Sequence, residues 1–108
     1  MFDLATAPKA PMKIVPVPEW GITVHIRMLG ADDLDTLEIG STDEAGKFVI
    51  KGYRVKYLSK CLTDEAGALL YDSDAARDWL ETWGHVVERL FLEARQHHGW
   101  KKDADLKN

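Results

Sequence analysis

A single cysteine, Cys61, stands in 108 residues, so no internal disulfide can form, which fits a reducing compartment. Uninterrupted apolar runs are only a few residues long, far short of the roughly 20 that span a bilayer, so no membrane partner is expected. The first twelve residues, MFDLATAPKAPM, lack the basic start and long apolar core of a secretory signal. Motifs that carry chemistry are missing too. The chain has no phosphate-cradling glycine loop, no Cys-x-x-Cys, no His-Glu-x-x-His and no nucleophile elbow. Its histidines are His25, His85, His97 and His98. His97 and His98 are adjacent, so on a helix they point about 100° apart and cannot chelate as an i,i+4 pair does. Cys61 reads as a packed thiol rather than a nucleophile. Asp32, Asp33 and Asp35 resemble a catalytic acid cluster only by composition. The chain is read as a non-enzyme, with no catalytic residue, cofactor or metal expected.

What is present is one domain's worth of soluble, globular composition, 45% hydrophobic and 30% charged. A chain of this length can bury roughly two-thirds of its unfolded surface. Its extended stretch is Val15 to Met28. Ile22, Val24, Ile26 and Met28 alternate with Thr23, His25 and Arg27, the period-2 pattern of a strand with one buried face. Glu19-Trp20-Gly21 supplies a turn and Ile14 to Val17 a preceding strand. Pro16 and Pro18 deny regular pairing to one edge of that strand. A hairpin this small needs cover, and the rest of the chain reads as helices.

Ala31 to Ile39 reads as a short helix, with Asp32 and Asp33 suited to the positive end of its dipole. Phe48 to Leu62 is the next, with Ile50, Tyr53, Tyr57, Leu58 and Cys61 on one face. The pentapeptide TDEAG occurs at 42–46 and again at 63–67, which reads as one turn chemistry used twice. Asp72 or Ser73 caps a helix from Asp74 to Trp83, where Ala75, Ala76, Trp79, Leu80 and Trp83 share a face. His85 to His98 closes the series on Val86, Val87, Leu90, Phe91 and Ala94. The expected architecture is α+β and single-domain: an N-terminal β-hairpin packed against about four helices. Residues 1–12 read as a flexible arm, 13–100 as the domain and 101–108 as a solvated tail.

The net charge of −4 argues against generic nucleic-acid binding. The excess lies entirely in residues 63–108, with ten acids and six bases; residues 1–62 carry eight of each. Within that first part the signs segregate. Asp32, Asp33, Asp35, Glu38, Asp43 and Glu44 come first, then Lys47, Lys51, Arg54, Lys56 and Lys60. One reading is two neighbouring elements with complementary faces. The other is a basic helix that docks an acidic partner or a nucleic acid, as in a small antitoxin or transcriptional adaptor. Arg54 falls among apolar wheel positions, so an ion pair with an acid of 32–44 is expected.

The order of motifs also resembles a family. Val17-Pro18-Glu19-Trp20-Gly21, Val24, Arg27 and Leu29 open the chain. Asp64, Gly67, Leu70 and Tyr71 form a turn, and Val87, Leu90, Ala94 and Gly99 close it. Together, over residues 13–100, these resemble the tail assembly chaperones of long-tailed, lambda-like bacteriophages and prophages. Residues 46–52 have no counterpart in that pattern, and His98 stands where it has asparagine. The resemblance implies a non-enzymatic assembly factor in the cytoplasm of a bacterial host. Its partners would be the long helical tape-measure protein and tail-tube subunits. A chaperone of this kind needs exposed apolar surface, and homo-oligomerisation would multiply weak contacts. Leu92, on the polar side of the last helix, Phe2 and Leu4 in the arm, and Trp20 at the hairpin tip are the candidates. Trp20 qualifies only if it does not pack against its own helices.

Overall fold

Strand β1 (Lys13–Val17) pairs antiparallel with β2 (Ile22–Ile26), with Val15 opposite Val24 and Val17 opposite Ile22. A 3-10 turn at Pro18–Trp20 joins them. The computed structural model describes Ala5 and residues 11–99, so Phe2, Leu4, Trp100, the tail and nearly all of the expected arm lie outside the described residues. Val15, Val17, Val24 and Ile26 are buried on one face. Ile14 and Pro16 alternate with them and are exposed, as the two-residue period dictates. Ile22 belongs to the buried set by pattern but sits at the turn end and is largely exposed.

Four helices follow: α1 (Ala31–Ile39), α2 (Tyr53–Cys61), α3 (Asp74–Glu81) and α4 (Gly84–His97). Between α2 and α3 the chain adds a two-residue strand, β3 (Leu62–Thr63), to the free edge of β2, giving the order β1-β2-β3. β1 is therefore an edge strand, the place in a sheet where Pro16 costs least. The architecture is α+β, one domain with a three-stranded antiparallel sheet in place of the expected hairpin. Tyr57, Leu58 and Cys61 of α2, Leu80 of α3 and Val86, Leu90 and Ala94 of α4 join the buried sheet face in one core.

Two expectations change here. The helix expected from Phe48 begins only at Tyr53, because Gly52 takes a left-handed φ of +77° as its N-cap. A right-handed helix needs a negative φ at every residue, so it cannot continue back through Gly52. Phe48, Val49 and Ile50 are left in an exposed loop. The later start also puts Arg54 in the first turn of α2, at the solvent edge of the buried face. No acid of 32–44 pairs with it. Its guanidinium lies instead over the Phe91 ring, 5.6 Å from the centroid, with Arg95 over the same ring at 5.5 Å. A stacked cation needs no carboxylate, which removes the reason for the expected ion pair. Arg54→Ala should therefore cost only about 0.5–1 kcal/mol in denaturant unfolding, the range of an exposed cation–π contact. Arg54→Met, which keeps packed volume on Phe91, should cost less.

The two TDEAG segments fold alike. Asp43 Oδ1 accepts from the N–H groups of Ala45 and Lys47, and Asp64 Oδ1 from those of Ala66 and Ala68, at 2.9–3.0 Å. Each closes a bridge six residues after its threonine, Thr42 with Phe48 and Thr63 with Leu69. The carboxylate substitutes for a backbone acceptor, which is why aspartate opens both turns.

Candidate interaction surface

The residues of the opening motif act as structural members. Trp20 is half-buried in an aromatic cluster, its ring centroid 5.0 Å from Trp79, 5.6 Å from Tyr71 and 6.1 Å from Trp83. Tyr71 and Trp79 stack at 17°. The hairpin tip is thus clamped onto α3, and the indole does not stand free for a partner. Helix–sheet packing over this distance is invisible in the local turn sequence.

Glu19 beside it accepts two hydrogen bonds from Arg89, at 2.6 and 2.8 Å. Those bonds hold its carboxyl down at about 2. Lys13 pairs with Glu93, and the His97 ring contacts the Pro11 carbonyl oxygen at 2.9 Å. Arg89, Glu93 and His97 are each four apart, so one stripe of α4 is zipped along the N-terminal strand. The Glu19 carboxyl sits below its ordinary 4.5, so its contribution is fully present above pH 4.5 and is lost as pH falls towards 2. A Glu19→Gln variant should be less stable than the parent at neutral pH and low salt, and indistinguishable from it near pH 2. Paired urea titrations at the two pH values check this. A gap that persists at pH 2 would show that the glutamate acts by something other than its charge.

His98 closes the other end of α4. The Leu29 N–H donates to Nε2 at 2.8 Å, so the ring proton resides on Nδ1. From there it faces the Ala94 carbonyl oxygen at 2.6 Å and the Tyr57 hydroxyl at 3.0 Å. One side chain therefore ties the segment after β2 to α2 and α4. Arg27 does similar work at the start of α1. It donates to Asp33 at 3.1 Å, and Asp33 also accepts from the Gly30 N–H at 3.3 Å. Burial pushes the Asp33 carboxyl up, but these hydrogen bonds outweigh it and hold it below the ordinary aspartate value.

Cys61 is buried, its thiol bonded to the Tyr57 carbonyl oxygen, and burial pushes it up to about 12, far from thiolate at neutral pH. Among the described residues no three of His, Cys, Asp and Glu are grouped so as to hold a metal ion, and no helix is long and apolar enough to cross a membrane. The basic residues of α2 are divided: Lys56 and Lys60, one turn apart, share a side with Arg77, and Arg54 lies away from them. Arg54 and Lys56 leave the helix about 200° apart. Lys56 donates to the Gly40 carbonyl oxygen at 2.8 Å.

What remains is apolar surface. Leu92 is 43% exposed, alone among the charged residues of outer α4. The larger concentration lies elsewhere, where Leu34 and Ile39 of α1 and Phe48, Val49 and Ile50 of the following loop are all exposed. Sequence reasoning missed this set by starting a helix at Phe48 and placing Ile50 on its buried face. The signal that could have found it was Gly52 read as a helix start.

No family model and no curated protein matches the chain. Among solved structures, the tail assembly chaperone of bacteriophage HK97 superposes with a TM-score of 0.58 at 24% identity, covering 84% of this chain and 86% of that one. The chain has the fold of a phage tail assembly chaperone. Within that fold the motif residues take visible roles. Val17, Val24, Leu29, Val87, Leu90 and Ala94 are core, Glu19 and Arg27 are ion-pair anchors, and Tyr71 is a stacking partner. His98, at the asparagine position of the chaperone pattern, is the hydrogen-bonding latch.

Proposed function

We propose that the protein is a non-enzymatic tail assembly chaperone that binds a tape-measure protein and helps recruit tail-tube subunits in the cytoplasm of a bacterial host. The observation that carries this reading is the fold shared with the HK97 chaperone along nearly the whole chain. Two local features support it. The only cysteine is a buried thiol, and Leu34, Ile39, Phe48, Val49 and Ile50 leave apolar side chains exposed, as a holdase for a long hydrophobic client requires. Leu92 and the N-terminal Phe2 and Leu4 are secondary contacts, and weak self-association would add avidity along a repetitive client. The regulator reading, with α2 on nucleic acid, is disfavoured by the net charge of −4 and by Lys56 being held on the Gly40 carbonyl oxygen.

The encoding locus gives a first check, with a tail-tube gene upstream and a very long helical tape-measure gene downstream as the expected neighbours. The biochemical test is size-exclusion chromatography of this chain mixed with tape-measure fragments. Co-elution that survives physiological salt is the expected result. No co-elution, with a salt-resistant complex on duplex DNA instead, would assign the protein to the regulators.

A further inference from the structure

Resting on the chaperone reading, we infer that the client-binding surface is the hollow face of α1 and the 41–50 loop, and that it takes an amphipathic helix flanked by lysine or arginine. Leu34, Leu37, Phe48 and Tyr53 line a hollow of about 360 Å³ between α1 and the loop, with Glu38 on its rim. A second, shallower hollow lined by Asp35, Glu38, Ile39, Thr42 and Asp43 adjoins it at Glu38. The floor is apolar and open. Ile39 is 77% exposed, Phe48 57% and Ile50 53%. Phe48 lines the first hollow and Ile39 the second, and leaving such side chains in water forfeits burial that a docked partner recovers.

The rim supplies the choice of partner. Asp35 and Glu38 have no ion-pair partner among the described residues. Asp43 spends one oxygen on its own turn and keeps the other free. Among the described residues none of the bases that follow in sequence forms an ion pair with these acids; Lys56 is held on a backbone carbonyl and Arg54 on Phe91. An occupant that covers the floor must therefore bring positive charge to the rim, or leave carboxylates desolvated and unpaired. The two hollows run along α1, a nine-residue helix about 13 Å long, which matches about two turns of a second helix laid beside it. Apolar side chains one turn apart would enter the Leu34–Phe48 hollow and cover Ile39, while flanking lysines reach Asp35, Glu38 and Asp43.

The test uses the full chain and two synthetic 20-residue amphipathic helices with the same leucine face, one flanked by lysine and one by glutamate. Fluorescence anisotropy is expected to show the lysine peptide binding at least tenfold more tightly. Glu38→Lys should reverse that preference, and the charge-matched control Glu65→Lys, in the other TDEAG turn, should not. Phe48→Ser should weaken both peptides. Each of these side chains is exposed, so thermal midpoints should hold and confirm intact folding. Equal binding of the two peptides, or Glu38→Lys without effect, overturns the surface. So does a dimer in sedimentation that Phe48→Ser dissociates and neither peptide competes for, because a second copy would then be the occupant. If Glu38→Lys and Phe48→Ser still bind tape-measure fragments normally, this surface is wrong while the chaperone function stands.

Discussion

Replacing Trp20 by alanine is expected to lower the thermal midpoint by about 10–20 °C. The indole contacts Tyr71, Trp79 and Trp83 and is the piece that fastens the hairpin tip to α3. Truncating a buried tryptophan costs about 3–5 kcal/mol, and half-burial brings this site to the lower end, about 2–3 kcal/mol. A domain of this size loses roughly 4–8 °C per kcal/mol. The indole N–H is buried without a hydrogen-bond partner, which already subtracts from what the ring contributes. Trp20→Phe keeps an aromatic ring in the cluster and removes that donor, so it should lose far less than the alanine variant. Calorimetry on the two variants decides the matter. A midpoint within about two degrees of the parent for Trp20→Ala would mean the ring is not packed, and would return the hairpin tip to the list of client contacts.

His98→Ala is expected to cost about 1–3 kcal/mol, because the Leu29 N–H loses its acceptor and the contacts to Ala94 and Tyr57 go with it. His98→Asn should recover most of the loss, since an amide offers one acceptor and one donor, as a neutral imidazole does. Urea unfolding of the three proteins under one set of conditions gives the comparison. An asparagine variant as unstable as the alanine one would show that ring packing against Tyr57, not hydrogen bonding, is what the position supplies.

The sequence reveals the local features well. The two-residue period at 22–26 and the stripes of α3 and α4 place those elements within two residues of their true ends, and α1 runs from Ala31 to Ile39 as its acidic start and following glycine imply. Features that depend on distant neighbours are not legible. His98 meets Leu29 across 69 residues of chain, and no periodicity points to that contact. Arg54 looks like a buried charge in need of a carboxylate until Phe91 is seen beneath it. The failure at Phe48 to Ile50 is different. Ile50 continues the helical stripe of Tyr53, Tyr57 and Cys61, but one backbone angle at Gly52 stops the helix and leaves Ile50, with Phe48 and Val49, in exposed surface. The candidate partner surface was therefore hidden by a local conformational choice rather than by missing chemistry.

The proposed function requires this chain to hold a tape-measure protein in solution. That is read from the soluble fraction of the tape-measure protein, produced in bacteria alone, with this chain, and with this chain carrying both Glu38→Lys and Phe48→Ser. Expected are an aggregated client alone, a soluble client that co-purifies with the unmodified chain, and a return towards aggregation with the double variant. A client that stays equally insoluble beside abundant, folded chain would contradict it.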